Sequence, residues 1–402
     1  MTREPRTHDF VLFGATSFVG QILTRHLVER HRGSDVTWAI AGRSAAKLAS
    51  VAAEAGADVE QIVVDADDAA GLAEMCAHTN LVISTVGPYA LHGSKLVAAV
   101  VEAGIDYVDL TGEPQWMQRM IDRYQDRAVE TGARIVHACG FDSVPSDMGV
   151  WFLQREAQER LGAPCTSISM AVAAAKGGAS GGTIASMMNM MEEVSADPSL
   201  RKMLGNPYAL AVRGDREGPT QPNVTLPEYD DGHATWLAPF VMAATNTRVV
   251  FRTHSLLGHV WGDDFTYGEA MAMGDGVTGR AKALAMSGGM GGLMGAAAIG
   301  PVRRTMARFL PAAGEGPSPE AQQAGFYDLR FHGRTAADDD LMVQVTGDSD
   351  PGYGSTSKIL AEAATTLASS EVAGGFWTPA TALGDPFVDA LVEHAGLTFE
   401  VV

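Results

Sequence analysis

Residues 10–13 form an unbroken apolar run that ends at Gly14, as expected of a strand buried on both faces. From Phe18 the pattern changes to helical spacing, with Val19, Ile22, Leu23 and Leu27 on one side. Residues 36–41, 61–64, 81–86, 105–110 and 134–138 read as further strands, and 96–101 and 117–130 as helices. Strands alternating with helices imply βαβ units. The fold class expected is α/β, with a Rossmann-like doubly wound parallel sheet over residues 1–149.

After about residue 150 this rhythm stops. Residues 166–174 read as a strand, 184–194 as a helix and 205–233 as a long Gly- and Pro-rich loop. Residues 248–251 and 256–261 read as strands. Residues 326–332 and 341–346 alternate like a hairpin, and 355–367 are helical. This predicts a second, α+β domain over 150–375 for substrate and dimerisation. Residues 376–402 either return to the first domain or belong to the second. Residues 284–302 carry no charge and six glycines, at a length near the lower limit of a membrane span. A mobile or interface segment is the first reading, a lipid-touching segment the second and a span the last.

Length changes the picture little: 402 residues suit two domains. Charge changes it more. A net charge of −19 speaks against nucleic acid, and against an anionic membrane as the main partner. Three scattered cysteines, Cys76, Cys139 and Cys165, suit neither a disulfide scaffold nor a zinc site. No metal is expected. The polar start at residues 1–9 has no apolar signal core. A reducing cytoplasm is the simplest compartment, with membrane association through 284–302 left open.

The candidate chemistry starts at Gly14-Ala15-Thr16-Ser17-Phe18-Val19-Gly20, between a strand and a helix. A glycine at the strand end allows the tight turn, and one inside the helix allows close packing. The first N–H groups of the helix then face a pyrophosphate. The end of the second strand sets the nucleotide. An Asp or Glu there would bind a ribose 2′-hydroxyl. This chain has Gly42-Arg43-Ser44, with Lys47 a turn later. A guanidinium binds a 2′-phosphate that a carboxylate would repel, so NADP(H) is the expected cofactor. Asp65 either bonds the adenine or forms a turn. Thr85-Val86-Gly87-Pro88 follows the fourth strand and should line the nicotinamide ribose.

These motifs, with residues 109–113 and 139–149, resemble the saccharopine dehydrogenase-like oxidoreductase family, and within it the actinobacterial trans-acting enoyl reductases. Residues 180–183, 350–353 and 377–380 extend the likeness through most of the chain. The resemblance implies action on polyketide-derived lipids. One departure is Ser17, where such loops usually carry glycine. A φ above zero there would penalise serine.

Hydride addition to a conjugated bond needs a donor near the developing negative charge. Tyr89 is the first candidate for proton donor, followed by His92 and Asp142. Packing against the cofactor, a helix-face histidine and a loop cap are their bland counterparts, and solvent as proton source is a further option. Ser180-Gly181-Gly182-Thr183 could hold a substrate carbonyl or simply form a turn. The first functional expectation is an NADPH-dependent reductase of an unsaturated acyl or polyketide chain. The second is an amino-acid dehydrogenase acting on a C–N bond, whose substrate needs clustered Arg or Lys. The third is a non-catalytic NADPH-binding scaffold associated with lipid. A homodimer through the second domain is expected.

Overall fold

The computed structural model describes residues 6–177, 181–197, 199–298 and 316–402, without the side chains of 181–185, 187, 294, 297 and 298. The first sheet contains β1 (His8–Phe13), β2 (Trp38–Gly42), β3 (Glu60–Val63), β4 (Thr79–Ser84), β5 (Asp106–Asp109) and β6 (Arg134–Val136). The helices of this part are α1 (Phe18–Arg30), α2 (Ala45–Ala55), α3 (Ala69–Ala77), α4 (Tyr89–His92), α5 (Ser94–Ala103) and α6 (Pro114–Thr131). Strand order is β6-β5-β4-β1-β2-β3, all parallel, with Phe10 opposite Leu81 and Trp38. The order reverses between β1 and β4, the crevice where nucleotides bind in open α/β sheets.

Successive strand residues point to opposite faces, and both faces here are apolar. Val11, Phe13 and Val82 pack with Leu72, Val97 and Trp116 of α3, α5 and α6 in one core. Phe10, Leu12 and Ile83 enter the other, which continues without a break into the second sheet through Met148, Val172 and Phe331.

The second sheet contains β7 (Cys165–Lys176), β8 (Glu228–Asp230), β9 (Thr235–Pro239), β10 (Thr266–Ala272), β11 (Phe326–Thr335) and β12 (Asp340–Gly347). Its helices are α7 (Val144–Leu161), α8 (Gly181–Ala196), α9 (Ser199–Gly205), α10 (Ala243–Leu256), α11 (Gly276–Ala298), α12 (Pro319–Gln323), α13 (Thr356–Ser369) and α14 (Pro379–His394). The last strands are β13 (Gly375–Trp377) and β14 (Leu397–Val401). Residues 376–402 divide between the units. β13 extends the first sheet beside β6, and β14 closes the second beside β12.

One expectation needs correction. Residues 248–251 and the start of 256–261 are not strands, because 243–256 is the helix α10. This helix is buried on most sides, including Arg248, Val249, Val250, Phe251 and Arg252, so no one-sided periodicity marks it. A boundary at 149/150 falls inside α7, which crosses from one unit to the other. A Cβ at Gly149 would lie 2.4 Å from the Phe331 ring, so α7 needs glycine to sit against β11. Within 284–302, residues 284–298 continue α11, and 299–302 lie outside the described residues.

Candidate active site

The turn after β1 is fixed by its own backbone. Gly14 has φ +94°, and a Cβ there would lie 2.6 Å from Val86 and 2.8 Å from the Thr85 hydroxyl. A Cβ at Gly20 would meet the Gly14 carbonyl at 2.2 Å and the Ala15 Cα at 2.8 Å. Both glycines are therefore required by close approach, as the motif predicts. Ser17 has φ −71°, so serine carries no penalty there. Its Oγ caps α1 by accepting the Gly20 N–H at 2.9 Å. Thr85 donates its single hydroxyl proton to the Gly14 carbonyl at 2.9 Å, so Ser17 donates to Thr85 at 3.0 Å. The Ser17 proton is thus spent within the loop and is not free for a phosphate oxygen. The Thr16, Phe18 and Val19 N–H groups make no hydrogen bond among the described residues. Three free donors at a helix N-terminus form an anion cradle.

At the end of β2, Arg43 and Lys47 are exposed and enter no ion pair among the described residues. Ser44 caps α2 by accepting the Lys47 N–H at 3.4 Å. Gly42 is buried, its Cβ position 3.6 Å from Leu48. Two unpaired cations at this edge fit a 2′-phosphate. Asp65 is exposed and accepts the Asp67 N–H at 2.9 Å, which makes it a turn former with one oxygen engaged.

The loop after β4 is held from below. Glu113, buried, accepts the N–H groups of Tyr89 and Ala90 at 2.8 and 2.9 Å and the Ser186 hydroxyl at 2.8 Å. Burial raises its pKa while these donors oppose the shift. Ser186 belongs to α8 and lies 3.7 Å from a Cβ position on Gly87, so α8 covers the Val86-Gly87-Pro88 turn. Gly181, Gly182 and Thr183 begin that helix, and Ser180 lies outside the described residues.

The geometry turns away from Tyr89 as the proton donor. Its ring is buried, and its hydroxyl donates to the Ser84 carbonyl at 2.9 Å. Burial pushes its pKa far above the ordinary tyrosine value, with Asp109 adding to the shift. Tyr89 supports the turn and packs on Trp116, ring centroids 5.4 Å apart. His92 ends α4 near Asp67, which pairs with Lys95 at 2.7 Å. Neither joins the polar cluster around Asp142.

That cluster lies beyond β5 and β6. Asp142 makes no hydrogen bond among the described residues, and its Oδ2 is 3.5 Å from a Cβ position on Gly112. Burial raises its carboxyl to about 7, and the charge of Glu269 adds to this. Glu269, on β10, accepts from the Tyr267 hydroxyl at 2.7 Å and from Asn246 Nδ2 at 2.9 Å. Burial also raises it to about 7, against these hydrogen bonds. Asn246 Oδ1 is buried without a partner, and the neighbouring Thr245 donates to the Gly112 carbonyl at 3.2 Å. Tyr267 and Glu269 also line a cavity of about 1150 Å³ between α9, α10, α11 and the loop after α9. Sequence reasoning missed Glu269 and Glu113. A lone acid among the small and aromatic residues of 265–272 was the available signal for the first.

The described geometry is that of a Rossmann-type nucleotide-dependent oxidoreductase. Residues 10–136 match the family model of the saccharopine dehydrogenase NADP binding domain. A protein of Mycobacterium tuberculosis assigned as a trans-acting enoyl reductase is 38% identical over 97% of each chain. The trans-acting enoyl reductase of Mycobacterium bovis is 35% identical over 97% of each chain. Among solved structures, saccharopine dehydrogenase of Saccharomyces cerevisiae shares the fold, with a TM-score of 0.55 at 14% identity over 98% of this chain and 99% of that one. The chain belongs to the saccharopine dehydrogenase-like oxidoreductase family that contains these enoyl reductases, and its cofactor is NADP(H). The free N–H cradle, the two required glycines and the unpaired Arg43 and Lys47 fit that cofactor.

Proposed function

We propose that this enzyme reduces the carbon–carbon double bond of an α,β-unsaturated acyl or polyketide chain. The observation that carries the reading is the cavity of about 1150 Å³ whose lining includes the raised Glu269 carboxyl, together with the raised Asp142 carboxyl, which follows β6 and on which the charge of Glu269 acts. NADPH, when bound, supplies the hydride. Asp142, protonated up to about pH 7, delivers the balancing proton to the α-carbon side. Glu269 is a positioning residue: Tyr267 and Asn246 fix its orientation, burial is the main cause of the raised Asp142 carboxyl, and the charge of Glu269, when it ionises, further disfavours ionisation of Asp142. The three N–H groups at residues 16, 18 and 19 hold the pyrophosphate, and Arg43 with Lys47 holds the 2′-phosphate.

The cavity chemistry argues against an amino-acid substrate. A polycarboxylate needs free cations. Arg248 lines the cavity but donates to the Ala244 and Leu204 carbonyls. Arg252 is buried and donates to the Leu210 and Phe376 carbonyls at 2.6 Å. Both guanidiniums donate to backbone, each with Nε buried and unpartnered; of the other lining cations Arg216 pairs with Asp122, and Lys202 alone enters no ion pair among the described residues, so the lining lacks the cluster of free cations a polycarboxylate needs.

The test is NADPH oxidation with a series of 2-enoyl thioesters of increasing chain length, and with glutamate or lysine-derived imines as the contrary arm. Turnover that rises with chain length supports the reading. Turnover only with the imines, or NADPH binding without any turnover, sinks it.

A further inference from the structure

The strands β5 and β6 stop pairing at Val108 and Val136, but the segments that follow them stay joined through one side chain. Asp109 is buried at the end of β5. Its Oδ1 accepts two N–H groups at 3.1 Å, from Thr111 on its own segment and from Ala138 on the next. Its Oδ2 lies 2.7 Å from Nδ1 of the buried His137. The His137 ring is walled by Trp116 and Phe376, with centroids 5.0 and 5.6 Å away. The Asp109 carbonyl accepts the Cys139 N–H at 2.7 Å.

What these bonds hold is the surround of Asp142. Ala138 has φ +59°, a left-handed conformation that alanine seldom adopts and that persists only where its surroundings over-determine it. Its N–H is fixed by Asp109 and its carbonyl by the Ser143 N–H at 3.0 Å, so residues 138–143 close into a loop that carries Asp142. On the other segment the Thr111 hydroxyl accepts the Glu113 N–H at 3.2 Å. Gly112, between them, faces Asp142, whose Oδ2 is 3.5 Å from a Cβ position there. The Asp142 carboxyl has no hydrogen bond of its own among the described residues, so its place is set by these two segments. Burial is the main cause of its raised value, and a loop that opened would admit water and undo it.

We propose that Asp109 is a positioning residue for Asp142: its carboxylate, steadied by His137, ties the segments after β5 and β6 together and so keeps the Asp142 side chain enclosed against Gly112. That Asp142 then gives its proton to a substrate rests on the acyl-reductase reading; the positioning does not. Glu269 of β10 is the charged group that acts on Asp142 within the enclosure, and it is left in place by every substitution below.

A thermal double-mutant cycle tests the positioning without any substrate. Asp142→Asn is introduced into the wild type, into Asp109→Ala and into Asp109→Asn, and Tm is read at about pH 4 and about pH 8. In the wild type the substitution raises Tm at the higher pH and leaves it unchanged at the lower. In Asp109→Ala the segments part, water reaches residue 142, and about half or more of that gain is lost. Asp109→Asn removes the same charge but keeps an oxygen for the two N–H groups, and the gain is retained. An Asp109 that merely stabilises the fold lowers Tm alike with either residue at 142 and leaves the gain intact, which overturns the inference. Equal losses in the two Asp109 backgrounds assign the effect to charge and overturn it too, as does the absence of any gain in the wild type. Should Asp109→Ala fail to fold, His137→Phe fills the place of the ring, leaves Oδ2 without its partner, and carries the same expectation and the same overturning result. With a 2-enoyl thioester, Asp109→Ala lowers kcat about tenfold, keeps KM within about twofold, and moves the fall of kcat/KM to lower pH. A fall that stays at the wild-type pH overturns the inference. If the wild type turns over no enoyl thioester, the reductase reading fails while the thermal cycle still decides the positioning.

Discussion

A carboxyl held at about 7 is half protonated near neutrality, which suits a proton donor at physiological pH. If Asp142 donates, kcat/KM is level below about pH 7 and falls with rising pH above it, and Asp142→Asn lowers it at all pH values. The same shift has a stability consequence. The folded-state value lies above the ordinary 3.8, so the folded chain holds a proton that the unfolded chain has lost. This stabilisation is present at low pH and is lost as pH rises from about 4 to about 7. Asp142→Asn removes the loss. Its Tm should match the wild type near pH 4 and exceed it near pH 8. An equal difference at both would mean that the carboxyl is not held protonated. Arg43 was legible in the sequence because charge at a strand end acts locally on its ligand. Arg43→Ala should weaken NADPH by roughly 10- to 100-fold, the worth of a charged hydrogen bond, and leave NADH unchanged. A titration showing equal losses for both nucleotides would remove Arg43 from the 2′-phosphate site. Glu269 and Glu113 were not legible in this way. Their properties come from burial and hydrogen bonds supplied by α10, α8 and α4, which lie far from them in sequence.

Among elements, the parallel strands of the first sheet were readable because both their faces are buried, which leaves unbroken apolar runs. The loop after β1 was readable because its two glycines answer to backbone contacts. Gly20→Ala tests that loop directly. Its Cβ would meet the Gly14 carbonyl and the Ala15 Cα, and backbone cannot swing away as a side chain can. Thermal unfolding should show a loss of about 1–3 kcal/mol or more, and NADPH titration a loss of binding. A variant that binds as the wild type does would show that α1 can slide away from the loop. α10 was misread for the converse reason. Buried on most of its circumference, it offers no polar face, and its Val249-Val250-Phe251 run mimics a strand. β9 was missed because Thr235–Pro239 is short and ends in proline, and β10 because Thr266–Ala272 mixes small and polar residues without alternation.

At the scale of the whole molecule, composition and rhythm indicated two units but not how they are joined. Three connections cross the junction. One apolar core runs from the α1 face of the first sheet into the second sheet. β13 returns to the first sheet after the chain has built most of the second. Asp147 of α7 accepts from the Thr253 hydroxyl of α10 at 2.5 Å and from the Ala380 N–H of α14 at 2.8 Å, which joins three helices at one carboxyl. Burial raises that carboxyl to about 7, although its donors favour the charged form. Units joined in this way should unfold together. Calorimetry should give one transition whose van't Hoff and calorimetric enthalpies agree, despite a length at which separate domains are common. Asp147→Ala leaves the buried Ala380 N–H without an acceptor, at about 1–3 kcal/mol, and leaves the Thr253 hydroxyl to Thr378 Oγ1 at 2.6 Å. Because both lie at the junction, the variant's single transition should move to lower temperature. A variant that instead splits into two transitions, with NADPH shifting only one, would mean that the shared core does not couple the units and that Asp147 alone does.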